Sequence, residues 1–216
     1  MKTAPQAAAA QNAIRSSPLL LVISAPSGGG KTTLCQQLIA KHSDMTRAIT
    51  CTTRPPRPGE REGVDYYFLD AASFEKKIED GGFLEHALVH GNRYGLPKFE
   101  VLNKFRQGND VLLNIDVQGA ATVCAKARED AELARALVTV FLTPATLGEL
   151  EARLKRRGTD SPEVLKTRLI SARDEIARWR EFQYLIISTT IAEDVRRMES
   201  IIAAERMRQS RVNPPF

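Results

Sequence analysis

The sequence has few cysteines and no long hydrophobic run, and each absence narrows the classes of protein that it can encode. Its three cysteines, Cys35, Cys51 and Cys124, are far apart and form no C-x-x-C pair, so neither a disulfide framework nor a zinc site is predicted. No apolar stretch reaches the roughly 18 residues that a membrane-spanning helix requires. We therefore expect a cytoplasmic protein with no membrane partner.

Charge of one sign is not concentrated either, although the chain is basic overall. The 216 residues include 31 Lys and Arg against 26 Asp and Glu, which gives a formal net charge of +5. This balance favours anionic ligands, but it falls short of the basic stripe expected of a nucleic-acid-binding protein. The sequence thus predicts small anionic ligands such as nucleotides and no nucleic-acid partner.

The length of the chain predicts one core that carries insertions. Residues 1–17 are rich in alanine and lack a continuous hydrophobic region, which favours a flexible extension over a signal peptide. Residues 209–216 contain two prolines and are expected to form a tail. The domain is predicted to span residues 18–208. The sequence does not fix its oligomeric state, and a homo-oligomer is one of the states it allows.

Apolar segments alternate with helical patterns, which is typical of βαβ units around a parallel sheet. The predicted strands are Leu19–Ser24, Ala48–Cys51, Val111–Ile115, Leu137–Leu142 and Tyr184–Ile187. A segment at about residues 50–97 breaks the alternation, because it is rich in proline, glycine, tyrosine and charge. The predicted fold class is therefore α/β: a parallel β-sheet flanked by helices, with a small inserted subdomain.

Capping signals predict several helices. Asp70 is a candidate N-cap for a helix that ends at Gly81, and Pro97 is expected to open another that stops at Gly108. Ser161 and the proline after it supply an N-cap and a first-turn proline for a third. Apolar residues with helical spacing mark further helix faces, namely Leu147, Leu150 and Leu154, then Leu165, Leu169, Ala172 and Ile176, and finally Ile191, Val195, Met198 and Ile202.

The stretch SAPSGGGKTT follows an apolar strand and precedes a helix, an order typical of a phosphate-binding loop. It fits the pattern G-x-x-x-x-G-K-[ST] except that Ala25 stands in the first position, where an ordinary negative φ suffices. Gly28 and Gly30 stand where backbone amides turn toward the phosphates. Lys31 is expected to bridge the β- and γ-phosphates of a nucleotide, and the Thr32 hydroxyl to bind Mg²⁺. The alternative is a glycine-rich turn with an exposed lysine.

A proline-stiffened turn, TTRPPRPGE, carries Arg54 and Arg57, and Tyr66 follows nine residues after Arg57. The prolines restrict the backbone, so the turn can present both guanidinium groups to one phosphate dianion. The alternative is a solvated basic turn, although a surface loop rarely needs three prolines around two arginines. We interpret the turn as a second anion site.

With these two sites in order, the sequence resembles the guanylate kinase family. The resemblance runs from Leu19 to about Arg208 and rests on SAPSGGGKTT, TTRPPRPGE, VDYYF, FLEHA, GNRYG, IDVQGA, RLKRRGTD and TRL. It implies a P-loop NTPase core, a GMP-binding subdomain and a helical lid at about residues 146–172. The implied activity is transfer of the γ-phosphoryl group of ATP to GMP, and to dGMP, with Mg²⁺ as cofactor.

The resemblance also implies roles for individual residues. The positions that match the ATP-binding loop are Ala25, Pro26, Ser27, Gly28, Gly29, Gly30, Lys31, Thr32 and Thr33. Those that match GMP-binding positions are Thr50, Arg54, Arg57, Tyr66, Glu85, Tyr94, Gly95 and Asp116. Those that match catalytic positions are Lys31, Arg54, Arg153, Arg157 and Arg168. Thr32 matches the position that binds the metal, with Asp116 as a second group acting through water.

The role implied for Glu85 has a chemical basis of its own. Guanine presents N1–H and the 2-amino group as adjacent donors, and the two oxygens of one carboxylate can accept both. Adenine has an acceptor at N1 and nothing at C2, so it would leave the carboxylate unpaired. A site built on such hydrogen bonds rejects the wrong base by orders of magnitude.

Three departures from the family pattern bear on the site. Leu96 stands where the family usually has a serine or threonine that contacts guanine. Asn114 replaces an acidic residue two positions before Asp116, which weakens the case for an ordered metal water shell. Residues 187–190 read ISTT where an Asn-Asp pair is frequent near adenine, so no adenine-contacting residue is predicted.

Two other patterns are assigned no function. His86 and His90 have the spacing of a helical metal pair, but in a strand they would lie about 13 Å apart at ~3.3 Å per residue, too far to share one ion. Cys51 has no histidine partner in the sequence pattern and is expected to be a small buried side chain.

Two rival functions stay open at this level. One is a guanylate-kinase-like scaffold that binds phosphopeptides, which the intact Lys31 and Thr32 disfavour. The other is a P-loop kinase of a different small phosphorylated acceptor. Glu85 and Tyr94 argue against that reading, while Leu96 leaves room for it.

Overall fold

The computed structural model describes residues 17–89, 91–156 and 161–212. The strands are β1 (Leu20–Ser24), β2 (Met45–Arg47), β3 (Cys51–Thr52), β4 (Tyr67–Phe68), β5 (Phe83–Val89), β6 (Asn92–Pro97), β7 (Asp110–Asn114), β8 (Leu137–Pro144) and β9 (Tyr184–Ser188). The α-helices are α1 (Lys31–Lys41), α2 (Ala71–Glu79), α3 (Lys98–Arg106), α4 (Val117–Arg128), α5 (Ala131–Ala136), α6 (Leu147–Arg156), α7 (Pro162–Ala177) and α8 (Ile191–Arg206). Two 3₁₀ turns, Trp179–Glu181 and Gln209–Arg211, follow α7 and α8. None of the described helices is long and apolar enough to cross a membrane.

The main sheet has the order β2-β7-β1-β8-β9, and all of its strands are parallel. Strand β1 lies at its centre and is buried along its whole length, as expected of a strand covered on both faces. One apolar cluster includes Leu21 and Ile23 of β1, and a second includes Leu20 and Val22, because successive side chains of a strand point to opposite faces. The predicted α/β class is confirmed.

The strand predicted at Ala48–Cys51 is wrong. The chain instead forms β2 in the main sheet and β3 in a separate sheet, and residues 48–50 connect the two. Backbone groups of this connection form hydrogen bonds outside the main sheet. The amide of Ile49 donates to the Glu100 carboxylate (3.1 Å), and the carbonyl of Thr50 accepts from the amide of Tyr67 (3.0 Å). The apolar and β-branched residues favour a strand locally, but only Cys51 among them belongs to one, because residues 48–50 cross from the main sheet to the smaller sheet.

The smaller sheet has the order β4-β3-β6-β5 and is formed within the segment predicted as an insertion. Strands β5 and β6 are antiparallel neighbours, with His86 opposite Gly95. A Cβ atom at Gly95 would lie 2.8 Å from the Phe83 ring and 3.0 Å from the Phe74 ring, so glycine is required for close packing there. Phe74 and Phe83 stack at 4.6 Å and form the core of this subdomain together with Cys51.

The predicted helix starts at Asp70, Pro97 and Ser161 are confirmed. Asp70 accepts from the amide of Ser73 (2.7 Å) at the start of α2, and Ser161 accepts from Val164 (3.4 Å) at the start of α7. Pro97 is the N-cap of α3, and Gly108 beyond its end has a φ of 78°. These features depend on neighbours in sequence, which is why the sequence predicts them well.

The candidate active site

The predicted phosphate loop lies between β1 and α1, at the carboxyl end of the central strand. Gly28 and Gly30 have φ values of 86° and 95°, and Gly30 is the N-cap of α1. This is the left-handed backbone that only glycine adopts without cost, and it turns amides toward the helix axis, where the positive end of the helix dipole favours an anion. The Lys31 ammonium donates to the carbonyl of Ile115 (2.7 Å) just after β7, which holds its side chain across the loop.

The loop lines a cavity of about 290 Å³. The residues around it are Ala25, Pro26, Ser27, Gly28, Gly29, Gly30, Lys31, Thr32, Asp116 and Glu175. The predicted ATP-binding residues are thus brought together, except for Thr33, which is exposed on α1 and does not line the cavity. Glu175 was not predicted, and its carboxylate accepts from the amide of Ser27 at 3.1 Å.

Opposing charges surround Lys31. Burial lowers the pKa of Lys31 below its ordinary value, while Asp116, Cys35 and Glu175 act in the opposite direction. The structure therefore places a partly desolvated cation in the loop next to carboxylates. A bound polyanion would favour the charged form of this lysine further.

Asp116 connects the loop to the neighbouring helix. Its carboxylate accepts from the amide of Gly119 (2.8 Å) and caps the start of α4. A Cβ atom at Gly119 would lie 3.5 Å from both the Asp116 carboxylate and Glu85 Cγ, so Glu85 packs against the same turn. Asp116 thus stands between the phosphate loop and the second cavity.

The second cavity has a volume of about 280 Å³ and lies beside the first. The predicted GMP-site residues that line it are Thr50, Tyr66 and Glu85, and Leu96 and Asn114 line it as well. Thr32 lines both cavities, and the Asn114 amide donates to its hydroxyl at 3.4 Å. The structure therefore joins the two predicted sites at one shared residue. Arg47 and Gln36 also line this cavity, and no sequence motif had indicated either.

Glu85 lies on β5 and is half-buried. Burial raises its pKa above the ordinary range of a glutamate, and the negative charge of Asp116 raises it further. These surroundings favour the protonated form, and a partner that donates hydrogen bonds to the carboxyl would favour its ionised form instead.

The arginine turn is preorganised by an internal ion pair. Nη2 of Arg54 donates to both carboxylate oxygens of Glu60 (2.8 and 2.9 Å), and the Arg54 guanidinium lies 5.5 Å from the centre of the Tyr66 ring. The Tyr66 and Tyr94 rings are 6.1 Å apart, and a hydrogen bond with Tyr94 contributes to the raised pKa of Arg54, after the larger effect of Glu60. Arg57 is exposed on the same turn. Of the four residues predicted to hold the acceptor phosphate, Tyr66 lines the second cavity and Arg54 and Tyr94 lie next to it, whereas Arg57 shares only the turn with Arg54.

Of the predicted lid arginines, Arg153 on α6 has the best-defined surroundings. Its guanidinium donates to Glu149 (2.5 Å) and to the hydroxyl of Ser188 (3.2 Å), which in turn donates to Asp194 (2.7 Å). Its Nη1 lies 3.8 Å from where a Cβ of Gly30 would stand, so it reaches the phosphate loop. Arg168 is half-buried on α7, whereas Arg157 lies outside the described residues.

The histidine and cysteine patterns have the expected structural character. His86 is exposed on strand β5 rather than on a helix, and His90 lies outside the described residues. Burial raises the pKa of Cys51 to about 11 and that of Cys35 to about 12, so neither thiol is activated. Among residues 17–89, 91–156 and 161–212, no cluster of three His, Cys, Asp or Glu side chains forms a metal-binding group.

A parallel sheet whose central strand ends in a glycine loop with a lysine, beside a second cavity, defines a P-loop protein that accommodates two ligands. The guanylate kinase family model matches residues 17–205. Guanylate kinases of Maricaulis maris and Clostridium perfringens are 42% and 41% identical over 193 and 194 residues, which is 89% and 90% of this chain and 86% and 87% of theirs. The crystal structure of guanylate kinase from Anaplasma phagocytophilum superposes with a TM-score of 0.65 at 31% identity and covers 92% of both chains. The chain belongs to the guanylate kinase family, the ATP:GMP phosphotransferases.

Proposed function

We propose that this protein transfers the γ-phosphoryl group of ATP to GMP and dGMP, with the residues named below in the stated roles. The observation that carries the assignment of roles is the pair of adjacent cavities that share Thr32. One is lined by a phosphate loop and the other by the Glu85 carboxylate. In this proposal a triphosphate in the first cavity and a monophosphate in the second would lie side by side, as transfer between them requires.

The guanine base is read by Glu85. Its carboxylate accepts from N1–H and the 2-amino group together, and Thr50 in the same cavity offers a hydroxyl to the base. Leu96, only 2% exposed, supplies an apolar wall where the family usually has a hydroxyl. Base selection therefore depends more heavily on Glu85 in this chain.

The phosphate of GMP is held by Arg54 and Arg57, with the hydroxyls of Tyr66 and Tyr94. Arg54 exchanges its contact with Glu60 for the phosphate, which is a better-matched partner for a forked guanidinium because it carries two charges. The ion pair with Glu60 restrains the Arg54 side chain before GMP binds. This preorganisation lowers the entropy cost of binding.

The phosphoryl transfer needs no general base. The second pKa of a phosphate monoester is ~6, so GMP at neutral pH supplies its own anionic nucleophile. Lys31 stabilises the charge on the transferring group, together with Arg153, Arg157 and Arg168 from the lid. The P-loop and the arginine turn hold donor and acceptor in line, and closure of the lid excludes water that would hydrolyse ATP.

Two oxygen-bearing side chains of the phosphate-loop cavity, Thr32 and Asp116, suit Mg²⁺ as ligands. The Thr32 hydroxyl and the Asp116 carboxylate are hard ligands of the kind that Mg²⁺ prefers, and a site with so few protein ligands suits an ion held mainly by phosphates and water. When bound, the ion neutralises charge on the phosphates of ATP. Asn114 beside Thr32 is uncharged, so it adds no anionic ligand.

All three cysteines are free thiols, which supports the proposed location in the reducing cytoplasm. The intact Lys31 and the arginines near the loop favour the enzyme over a phosphopeptide-binding scaffold.

The experiment that tests the function is a coupled assay of ADP release with ATP against GMP, dGMP, AMP, CMP and UMP. We expect turnover with GMP and dGMP and little with the others. Comparable turnover of AMP and GMP would refute the proposal that Glu85 selects guanine over adenine. Absence of turnover together with tight binding of a phosphopeptide would establish the scaffold instead.

A further inference from the structure

Glu175 places a carboxylate inside a cavity built for anions. It lies near the end of α7, far from the phosphate loop in sequence, and its Oε2 accepts from the amide of Ser27 at 3.1 Å. It lines the same cavity as Lys31 and Asp116. No role follows for it from the loop motif, from the GMP-site residues or from the lid arginines.

The contact has the chemistry of a phosphate contact. Amides of a glycine-rich loop bind anionic oxygens through the backbone and helix dipole, and a carboxylate oxygen satisfies a loop amide in the same way. Burial and Asp116 raise the pKa of Glu175, whereas the Ser27 amide and Lys31 favour its ionised form. The loop thus already holds an anionic side chain of the protein.

A triphosphate in this cavity conflicts with that side chain. The phosphates would compete for the loop amide and would bring like charge next to the carboxylate at a partly buried site, where repulsion is only weakly screened. Glu175 must therefore leave the Ser27 amide when the phosphates of a nucleotide enter.

The helix that carries Glu175 also carries Arg168. The two residues are seven positions apart on α7, which is close to two helical turns and places them on the same side of the helix. A shift of α7 that follows release of Glu175 would therefore carry Arg168 with it. The apolar cluster of Leu165, Leu169 and Ile176 on α7 with Leu150 and Leu154 on α6 connects the same movement to Arg153.

We propose that Glu175 is a positioning residue: its carboxylate takes the place of a phosphate oxygen at the Ser27 amide in the nucleotide-free protein, and ATP expels it. The inference rests on the proposed function, because it takes ATP as the ligand of the loop. Glu175 keeps the amide oriented before ATP arrives, and its release frees α7 to bring Arg168 to the phosphates. Arg168 then approaches the loop only when it is filled, whereas Arg153 already lies beside it.

Glu175→Gln tests this proposal with little change in shape. It removes the charge and keeps one oxygen that can accept from Ser27. Asp174→Asn is the matched control, since it removes the same charge from the adjacent, exposed residue of α7. Calorimetry would measure the Kd of each variant for ATP in EDTA and for inorganic tripolyphosphate.

We expect Glu175→Gln to lower both Kd values about five- to tenfold, because an internal contact populated at about 80–90% raises the apparent Kd by that factor. Asp174→Asn is expected to leave them unchanged. Glu175→Ala, which removes the acceptor altogether, is also expected to bind ATP and tripolyphosphate more tightly. It replaces Glu175→Gln as the test variant if the glutamine variant folds poorly. In steady-state kinetics the KM for ATP falls in Glu175→Gln while the KM for GMP does not.

Trp179 provides an independent readout. It is the single tryptophan of the chain and lies in the 3₁₀ turn directly after α7, where it packs against Arg180 (4.8 Å). We expect tripolyphosphate to change its fluorescence in the unmodified protein. Nucleotide-free Glu175→Gln is expected to show part of that change already.

Two results would overturn the proposal. Weaker binding of ATP by Glu175→Gln would mean that the carboxylate supports the nucleotide, and unchanged binding with a lower melting temperature would mean that the contact is structural only. Tripolyphosphate binding requires no GMP. A protein that binds it as described but transfers nothing to GMP would therefore refute the proposed function and leave the role of Glu175 standing.

Discussion

Glu85→Gln tests how the base is read, with almost no change in side-chain shape. The substitution keeps one acceptor and replaces the other carboxylate oxygen with an amino group, which then faces a donor of guanine. Glu79→Gln is the control, because it makes the same chemical change on the exposed face of α2 in the same subdomain.

The structure sets the size of the expected effect. One charge-assisted hydrogen bond contributes about 1.5–3 kcal/mol, and an unsatisfied donor costs about 1–3 kcal/mol more. Because Glu85 is only half-buried before GMP binds, the lower part of the combined range applies: about 3 kcal/mol, or roughly a hundredfold in kcat/KM. The amide can donate to N1 of adenine, so kcat/KM for AMP is not expected to fall.

The measurement is kcat/KM for GMP and AMP by coupled ADP release, in the unmodified protein and both variants. The ratio of the two values is expected to fall at least a hundredfold in Glu85→Gln and to stay unchanged in Glu79→Gln. A Glu85→Gln protein that still prefers GMP as strongly as before would show that another group reads the base.

The raised pKa of Glu85 adds a pH-dependent outcome. As pH falls, the carboxyl gains its proton at a higher pH than an ordinary glutamate and loses an acceptor. Thus kcat/KM for GMP is expected to drop at mildly acidic pH in the unmodified protein. Glu85→Gln retains only the drop that comes from the phosphate of GMP. Folding disfavours the ionised form of this carboxyl, so the variant is expected to unfold at no lower temperature at neutral pH.

Three further substitutions probe the loop, the lid and the core. Lys31→Met is expected to lower kcat about a thousandfold by removing a charge at the transferring phosphoryl group, and single-turnover kinetics with near-normal transfer would refute that role. Arg153→Lys is expected to lower kcat by about ten- to a hundredfold and to leave the KM for GMP unchanged, because an ammonium cannot span two partners as a guanidinium does. An unchanged kcat would show that Arg153 takes no part in phosphoryl transfer. Arg211→Met removes the buried cation that pairs with Glu205 and leaves the Tyr184 hydroxyl and the exposed Arg208 as contacts of that carboxylate. The substitution is expected to cost about 3 kcal/mol, which calorimetry would detect as a fall in Tm. Arg208→Met is the control, since that arginine pairs with the same carboxylate from an exposed position. Equal losses of stability in the two variants would show that burial of the Arg211–Glu205 pair does not determine the cost.

Features that depend on sequence neighbours could be predicted from the sequence. The phosphate loop, the cap at Asp70 and the first turn of α3 after Pro97 each follow from a few adjacent residues, and the structure has them where expected. The strand at Ala48–Cys51 was misplaced because residues 48–50 connect two sheets and only Cys51, at the end of the segment, pairs with neighbouring strands, which no local pattern encodes.

In the candidate site, too, residues within local motifs could be predicted and residues brought in by distant packing could not. Residues within motifs, such as Glu85 and Tyr66, were predicted and lie in one cavity, and their roles as ligands remain predictions. Glu175 and Arg47 were missed because neither stands within one of the sequence motifs, although each lines a cavity of the site. The charge next to a phosphate loop can be found only when the packing of distant helices is known.

The small sheet begins and ends side by side, since Cys51 of its first strand pairs with Gly95 near the end of β6. The chain enters it through residues 48–50 and leaves it directly into α3. Most of the residues proposed to bind the acceptor therefore lie in one continuous segment of the chain, while those proposed to bind the donor come from the remainder. We predict that acceptor preference can be exchanged between relatives by swapping this segment at its two neighbouring ends, without redesign of the part proposed to bind ATP.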